Sequence, residues 1–316
     1  MPLRVALIGT GFGARVVAGC YRDAGMTVDI VSPRDAGAVR AACAGDVDLV
    51  SIHSPPFLHA DHVGLALDHG RNLLCDKPFG TSADQARRML DRATAAGVLH
   101  FLNFEFRYDP PRLALKALLD DGVIGAVRHV HWTAFSSGSR VPLRPYGWLF
   151  DEARGGGWIG AFGSHVFDAL RWLVGEVEDA HGETRTDIAR RPDAAGVPHD
   201  CTAEDAFVAR LTFASGATAL IDTAFAAPAN LPPRMIFIGS EGMIEATGST
   251  RIAIIGSGED RVIDFEPFAG DPHLPAMRPW AAAVRDSIIA GRQIEPCFAD
   301  GLACAEIMDR VRAGGG

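Results

Sequence analysis

The sequence lacks the features that mark membrane, secreted and zinc-binding proteins. No apolar run approaches the roughly 18 residues that a membrane-spanning helix needs. Glycines at positions 9, 11 and 13 interrupt the single stretch that resembles a secretory signal. The six cysteines form no C-x-x-C pair and show no metal-ligand spacing. We therefore predict a cytoplasmic protein with reduced thiols, no disulfide and no metal site.

Basic clusters and internal repeats are absent as well. The 30 Lys and Arg residues are scattered among 39 Asp and Glu residues, and the formal net charge is -9. Such a surface favours neither nucleic acid nor an anionic membrane as a partner. The 316 residues, 48% of them hydrophobic, suffice for two buried cores. These properties predict a two-domain protein that binds a small molecule.

An apolar run and a glycine-rich turn open the chain. Residues 3–8 form a predicted strand, glycines follow it, and a helix is predicted from near Phe12. Glycines allow a sharp turn and a close approach to a pyrophosphate, and a helix N-terminus favours the anion. We predict that the turn binds a dinucleotide through Gly9, Gly11, Phe12 and Gly13.

Short apolar segments alternate with amphipathic ones up to residue 102. Further strands are predicted at residues 28–31, 47–52, 72–75 and 98–102, and helices at 35–44, 57–69 and 82–96. Asp35 is a candidate N-cap for the first of these helices. This alternation predicts an α/β fold that begins with a doubly wound parallel sheet.

The pattern changes after Gly122, where we place the boundary between domains 1–122 and 123–316. Longer, alternating strands are predicted at residues 127–135, 206–213, 217–225, 235–238, 243–245, 252–255 and 262–265. They predict a C-terminal α/β domain with a large, mostly antiparallel open sheet, closed by helices at 277–290 and 298–312. An uncovered sheet face favours a homodimer or homotetramer. The glycine tail after Ala313 is expected to fray.

The residues after the second predicted strand bear on the choice of cofactor. NAD enzymes usually carry Asp or Glu there, which binds the ribose hydroxyls. This chain has Ser32 and Arg34 instead, and an arginine fork with a hydroxyl can hold a 2'-phosphate. We predict a preference for NADP(H), with NAD(H) possible. The alternative is that Arg34 is only a solvated surface residue.

Several motifs occur in the order seen in one known family. They are the glycine turn, Pro55-x-x-x-His59, Asp76-Lys77-Pro78, the segment 103–110, and the glycine-rich segment 155–168 that contains His165. With these motifs the chain resembles the Gfo/Idh/MocA family, which includes glucose-fructose oxidoreductase and inositol dehydrogenase. The resemblance implies an NAD(P)-binding Rossmann domain, a substrate-binding and oligomerisation domain, and a nicotinamide in the cleft between them.

Lys77 is the first candidate for catalysis. It follows a parallel strand, at the edge where open α/β sheets bind their ligands. A lysine ammonium there can exchange a proton with a substrate hydroxyl and stabilise negative charge on that oxygen during hydride transfer. The alternative is an ordinary surface lysine.

His165 is the second candidate, because the family pattern Asp-x-Gly-x-His matches at Gly163 and His165. The Asp position is Ala161 in this chain, so the family's Lys-Asp-His set is incomplete. Three interpretations follow. His165 works with Lys77 alone; another group substitutes, with Glu105, Asp168, Asp205 or Tyr146 as candidates; or catalysis is lost.

Further candidates lie near these motifs. For the cofactor they are His53, Pro55, His59, Asp76 and Lys77, in addition to the glycine turn, Ser32 and Arg34. For the substrate they are Asn103, Arg107, Tyr146, Trp148 and Asp168. Arg107 is alternatively a residue that holds the domains together, and Trp148 alternatively belongs to the core.

The most consistent function is NAD(P)-dependent hydride transfer to or from a sugar, a sugar derivative or a cyclic polyol, as a dehydrogenase or reductase that acts on CH-OH or C=O groups. Two alternatives remain open. One is a non-catalytic NADP-binding sensor or regulatory protein, which Ala161 would explain. The other is a glycosidase that uses a bound nicotinamide for transient oxidation, as some family members do.

Overall fold

The structure is a computed structural model that describes residues 1–256, 258 and 260–314. The chain divides into two compact units: Met1–Asp109 with Ala269–Glu306, and Pro110–Phe268 with Ile307–Gly316. This division differs from the sequence-based boundary after Gly122 in two ways. The opening segment of the first unit ends at Asp109, and the unit also includes the late segment Ala269–Glu306. The roles assigned to domains 1–122 and 123–316 stay predictions. The frayed tail was predicted for residues that include Gly315 and Gly316, which lie outside the described residues.

A parallel five-stranded sheet forms the centre of the first unit. Its strands are β1 (Arg4–Ile8), β2 (Thr27–Val31), β3 (Leu49–Ile52), β4 (Asn72–Cys75) and β5 (His100–Leu102), in the order β2-β1-β3-β4-β5. The connecting helices are α1 (Ala18–Asp23), α2 (Ala36–Ala44), α3 (His59–Asp68) and α4 (Ala83–Ala96). The predicted doubly wound sheet is confirmed. Asp35 caps α2 by accepting a hydrogen bond from the Ala38 amide at 2.9 Å, also as predicted.

The second unit holds an eight-stranded sheet and two whole helices. The helices are α5 (Pro110–Asp120) and α6 (Ser164–Val174). The strands are β6 (Val127–Phe135), β7 (Val177–Arg185), β10 (Ala206–Phe213), β11 (Thr218–Ala224), β12 (Arg234–Gly239), β13 (Met243–Thr247), β14 (Arg251–Ile255) and β15 (Arg261–Asp264), with β8 (Arg190–Pro192) and β9 (Pro198–Asp200) as a separate pair. The sheet order is β15-β14-β13-β12-β6-β11-β10-β7. Only the β6–β11 pair is parallel among its recorded pairings, so the predicted mostly antiparallel sheet is confirmed.

The two faces of this sheet differ in burial. On one face Trp132 lies under Arg112 of α5, 5.6 Å from the guanidinium to the ring centre, and Phe207 packs against Phe167 of α6 at 6.1 Å. On the other face Val208 and Leu220 are 47% and 39% exposed. The assembly predicted through this face stays a prediction.

Two late helices complete the fold, α7 (Leu274–Ala290) and α8 (Phe298–Ala313). Apolar side chains of α7 belong to the same core as β1 and α1: Met277, Trp280, Ala281 and Val284 pack with Val5, Leu7, Val17 and Tyr21. Trp280 is fully buried and contacts Tyr108 at 5.1 Å between ring centres. Burial of a large aromatic side chain is among the strongest single contributions to a core. The first unit therefore needs α7 to close its core.

Two helices begin with a π-helical turn. Gly13–Val17 precedes α1, and Ile159–Gly163 precedes α6. A π turn inserts an extra residue into a helix and is frequent at functional sites. Both turns lie in segments for which the sequence predicts a functional role.

In the described part of the chain, no helix is both long enough and apolar enough to span a membrane. All six cysteines are free thiols, and each is buried except the half-buried Cys201.

Candidate active site

Four parallel strands end at one edge of the first sheet, and predicted site residues follow each of them. Gly9 follows β1, His53 follows β3, Asp76 and Lys77 follow β4, and Asn103 follows β5. Because the carboxyl ends of parallel strands share an edge, these residues are neighbours despite their separation in sequence.

The glycine turn is tightly packed at two positions and open at a third. A Cβ on Gly9 would lie 2.7 Å from the His53 carbonyl oxygen, and one on Gly13 would lie 2.7 Å from the His53 Cβ. A Cβ on Gly11 would meet nothing within 4 Å. Gly11 is exposed just before the helical segment that begins at Gly13, where amide groups and the helix dipole favour an anion. The turn therefore fits a dinucleotide pyrophosphate.

The end of β2 lies beside this turn. The Gly9 amide donates to the Val31 carbonyl at 3.0 Å, and Ser32 and Arg34 follow directly. The Ser32 hydroxyl accepts a hydrogen bond from the Arg34 amide at 3.3 Å, and the Arg34 residue is exposed. Arg34 therefore lies three residues after a strand end that is bonded to the glycine turn, and the carboxylate that follows it, Asp35, caps α2.

Asp76 is the centre of a hydrogen-bond network next to Lys77. Its Oδ2 accepts from His53 Nδ1 at 3.0 Å, and its Oδ1 accepts from the Lys77 amide at 2.9 Å and from Asn103 Nδ2 at 3.3 Å. Burial raises the pKa of this carboxyl, but the hydrogen bond and charge of His53, followed by the charges of Lys77 and His59, lower the pKa to about 2. Asp76 is therefore ionised beside Lys77 at neutral pH.

His59 links two turns of the first unit, and its predicted contact with the cofactor stays a prediction. It is fully buried, with Nδ1 3.1 Å from the Pro78 carbonyl and Nε2 2.8 Å from the Ser54 carbonyl. Burial lowers its pKa to about 4, so at neutral pH the imidazole donates to only one of the two carbonyls. Its side chain joins the turn after β3 to the turn after β4. Pro55, which precedes the 3-10 turn Pro56–Leu58, is half-buried, and its cofactor contact stays a prediction.

Asn103 and Arg107 also make contacts inside the first unit, and their predicted contact with substrate stays a prediction. Asn103 is fully buried and holds Asp76. Arg107 is 7% exposed and donates to Asp300 at 2.8 Å. A buried guanidinium needs a carboxylate partner, and α8 supplies it.

Glu105, in the same segment 103–110, contacts His273. It is 1% exposed, and its Oε1 lies 2.7 Å from Nδ1 of His273. The His273 ring in turn packs edge-on against Phe12 of the glycine turn, 4.8 Å between ring centres. Glu105 therefore supports the glycine turn, and this use weakens it as a substitute for the missing family carboxylate.

The second unit holds the other predicted catalytic segment. Ala161 lies in the π turn before α6, and His165 and Asp168 are buried on α6, 5% and 3% exposed. Asp205, another candidate carboxylate, is committed to the backbone, since it accepts from the amides of Asp187 at 2.7 Å and Ile188 at 3.2 Å.

Two aromatic candidates for the substrate site also lie in the second unit. Tyr146 stacks on His199, 4.6 Å between ring centres and 11° between planes. Trp148 begins a 3-10 turn whose backbone leaves no room for a side chain at Gly156, because a Cβ there would lie 2.4 Å from the Trp148 carbonyl oxygen. Both residues are half-buried, and their contact with substrate stays a prediction.

Ser51, Tyr21 and His273 are residues that sequence reasoning missed. Ser51 and Tyr21 extend the hydrogen bonds of His53 into the core, and His273 holds Phe12. The polar Ser51 inside the apolar segment 47–52 was the one signal in the sequence, because a buried hydroxyl requires a partner.

Two family models match the chain, one in its first part and one in its second part. The model for the oxidoreductase family with an NAD-binding Rossmann fold matches residues 35–104, and the model for the GFO/IDH/MocA C-terminal domain matches residues 113–245.

The chain belongs to the Gfo/Idh/MocA family.

Relatives in this family include an uncharacterised oxidoreductase of Synechocystis, 31% identical over 240 residues. That match covers 67% of this chain and 63% of the relative, so the chain spans less than two thirds of that protein. Levoglucosan dehydrogenase of Pseudarthrobacter phenanthrenivorans is 26% identical over 307 residues, which cover 84% of this chain and 77% of the relative. A solved structure of a levoglucosan dehydrogenase in complex with NADH shares the fold, with a TM-score of 0.89 at 22% identity over 99% of this chain and 96% of that one.

The chain is thus an oxidoreductase of the Gfo/Idh/MocA family with an NAD-binding Rossmann fold. At the first position of the Asp-x-Gly-x-His pattern that the resemblance implies, this chain has Ala161.

Proposed function

We propose that this oxidoreductase transfers a hydride between a nicotinamide cofactor and a sugar, a sugar derivative or a cyclic polyol. The observation that carries the proposal is the shared sheet edge, where an open glycine turn follows β1 and the ionised Asp76, with Lys77 next to it in sequence, follows β4. The name of one relative, levoglucosan dehydrogenase, supports a sugar-like substrate.

The glycine turn, Ser32 and Arg34 would hold the dinucleotide. When bound, the nicotinamide accepts or donates the hydride. The amides at the start of the Gly13 helix would face the pyrophosphate, and the packing of Gly9 and Gly13 on His53 keeps the turn rigid. This chain's contribution is therefore to bind and orient.

Lys77 and His165 would handle the proton. Oxidation of an alcohol requires that its hydroxyl proton leave as hydride departs, and the reverse holds for reduction. Lys77 would exchange this proton and stabilise charge on the oxygen, because an ammonium group is both a proton donor and a cation. His165 would assist from α6. Without a carboxylate at position 161, we favour the interpretation in which these two groups act alone, which suits reduction of a carbonyl.

The sensor alternative is favoured by Ala161 itself and predicts nucleotide binding without turnover. The glycosidase alternative predicts turnover without net consumption of cofactor. Single-turnover reduction of bound NAD(P)+ by a panel of sugars, followed at the absorbance of the reduced nicotinamide, separates all three.

Gly11→Ala tests the cofactor site. The free protein has space for a methyl group at this position, so its melting temperature should change little. The methyl would instead stand where the pyrophosphate binds, and overpacking of about 1–3 kcal/mol should raise the dissociation constant for the nucleotide about tenfold or more. Isothermal titration measures this change. Gly19→Ala, also in open space but on α1, is the matched control and should leave binding unaltered.

We also propose a preference for NADP(H), supported by the exposed Arg34 just after β2, whose last residue, Val31, is bonded to the Gly9 amide. Arg34→Ala should raise the dissociation constant for NADPH about tenfold, because a charge-assisted contact with the 2'-phosphate is lost, while that for NADH stays within about twofold. Arg40→Ala on the exposed side of α2 is the control. A wild-type protein that binds NADH more tightly than NADPH would contradict the proposal.

The unit with the eight-stranded sheet would also mediate assembly. Leu220 and Val208 are exposed on its open face, and the half-buried Ile236 and Ile238 lie in the adjoining register. We propose a homodimer or homotetramer through this face. A cytoplasmic location is proposed from the free thiols, which persist in reducing compartments.

A further inference from the structure

A chain of four hydrogen-bonding groups, three of them buried, runs from α1 to the start of the candidate active site. The Tyr21 hydroxyl lies 3.0 Å from the Ser51 hydroxyl, Ser51 lies 2.8 Å from His53 Nε2, and His53 Nδ1 lies 3.0 Å from Asp76 Oδ2. Tyr21, Ser51 and the His53 side chain are fully buried. The cofactor contact predicted for His53 therefore does not come from its imidazole, because both ring nitrogens face inward.

The ionised Asp76 fixes the direction of these bonds. A carboxylate only accepts, so His53 carries its proton on Nδ1 and donates it to Asp76. In the neutral imidazole Nε2 is then unprotonated and accepts from the Ser51 hydroxyl, and Ser51 accepts from Tyr21. One tautomer of His53 thus satisfies every group in the chain.

The order Ser51-His53-Asp76 is that of a hydrolase triad, but its burial excludes this chemistry. A nucleophilic serine must reach a substrate carbonyl. Ser51 is 0% exposed and lies within a core strand, with its hydroxyl also bonded to Tyr21. The role of the network is therefore to hold other residues of the protein in place, not to react with a substrate.

One end of the network holds the backbone of Lys77. Asp76 accepts from His53 through Oδ2, and this bond orients the carboxylate so that Oδ1 accepts from the Lys77 amide and from Asn103. The backbone of Lys77, just after the end of β4, is therefore held by the Asp76 side chain, which His53 orients.

His53 also supports the glycine turn. Its carbonyl and Cβ are the atoms that leave no room for a side chain at Gly9 and Gly13. Its ring lies 6.2 Å from that of Phe12, edge to face. A single residue therefore contacts both the turn that would hold the dinucleotide and the carboxylate that precedes the lysine.

We infer that His53 is a positioning residue, which sets Lys77 through Asp76 and supports the glycine turn from below. The inference rests on the proposed function, because a position for Lys77 matters only if Lys77 meets the substrate. His53 touches neither cofactor nor substrate in this role.

The charge on Asp76 depends on the same contact. Burial alone would raise the pKa of Asp76, and His53 supplies the largest opposing contributions. Two other titratable groups that face Asp76, Lys77 and His59, also lower its pKa. The remaining two are Tyr21 and Cys75, and burial, together with the charge of Asp76, raises the pKa of each. Loss of the His53 hydrogen bond should therefore raise the pKa of Asp76.

The sign of the pH effect follows. The folded pKa of about 2 lies below the ordinary 3.8, so Asp76 contributes stability above pH 3.8, and this contribution is lost as the pH falls towards 2. If the pKa of Asp76 in the folded protein rises, its contribution to the free energy of unfolding becomes smaller. The variant then differs most from wild type in this free energy near neutral pH.

The matched variants are His53→Asn and His53→Leu, which have nearly the same shape. Asparagine keeps an N–H donor near the position of Nδ1, whereas leucine has none. Both lose the same ring, so they should weaken nucleotide binding equally, by about threefold. Only His53→Leu should also lower kcat, by about tenfold or more, and flatten the dependence of unfolding free energy on pH between 2 and 4.

Equal kcat values for the two variants would overturn the inference, as would equal pH dependences of unfolding. Should His53→Leu fail to fold, nitrogen NMR of the wild-type imidazole decides the matter, since an imidazole that carries its proton on Nε2 and none on Nδ1 would contradict the network. If wild type binds nucleotide without turnover, the proposed function has failed instead. In that case the unfolding and NMR measurements still show whether His53 holds Asp76.

Discussion

Replacement of Lys77 with alanine should lower kcat by about 10²- to 10⁴-fold, the usual contribution of a positioned acid-base group. The ammonium is the group that we propose to exchange the substrate's proton, and alanine offers no replacement. The dissociation constant for the nucleotide should stay within about threefold, because the glycine turn and its packing on His53 are unchanged. Steady-state kinetics and isothermal titration with NADPH measure the two quantities separately.

The chain provides a clean control for this experiment, because it has only two lysines. The other, Lys116, pairs with Asp120 one turn further along α5 and lies over the Trp172 ring at 5.9 Å. Lys116→Ala should change neither kcat nor nucleotide binding, since exposed ion pairs of this kind contribute little. Substantial turnover in Lys77→Ala would remove Lys77 from the mechanism.

Replacement of His165 with glutamine should lower kcat by about 10²-fold, with a smaller change in KM. Glutamine keeps a hydrogen-bonding group of similar length but does not exchange a proton near neutral pH. We expect a large effect because Ala161 leaves no carboxylate at the family position to share the task. Kinetics as a function of pH measure the change, and His181→Gln, on exposed β7, is the matched control.

The variant Ala161→Asp separates the remaining interpretations. If Lys77 and His165 act alone, wild type is active and the added carboxylate changes its rate without being required. If catalysis was lost with the family aspartate, wild type is inactive and Ala161→Asp restores turnover. An active wild type in which His165→Gln has no effect would contradict the role of His165.

Much of the fold was predictable because apolar patterning dominates it. The four residues of β3 are all buried, and their apolar run marked a strand in a covered parallel sheet. The residues of β6 alternate in burial, as their sequence does. The predicted bounds of β4, β6 and β10 agree with the structure.

The elements that were missed lack this signal. Strand β7, the edge strand Val177–Arg185, buries only Ala180, so nothing apolar repeats along it. Helix α5 starts at Pro110 and Pro111, and prolines are a weak helix signal although they are well tolerated in the first turn.

The sequence predicted where the site residues lie better than it predicted what each of them contacts. The strand ends identified Gly9, Asp76 and Lys77, because parallel topology brings those positions together. Partners distant in sequence were not visible. Arg107 meets Asp300, 193 residues away, and no local pattern reveals that a charged side chain already has a partner inside the protein.

The late return of α7 to the first unit has a consequence for biosynthesis. The side chains of Met277 and Trp280 complete a core whose other members, Leu7 and Tyr21 among them, leave the ribosome far earlier. At about 5–20 residues per second, the nascent dinucleotide-binding half waits on the order of ten seconds or more with apolar surface uncovered. During translation it is therefore the first half of the polypeptide, and not the last, that most needs protection by chaperones.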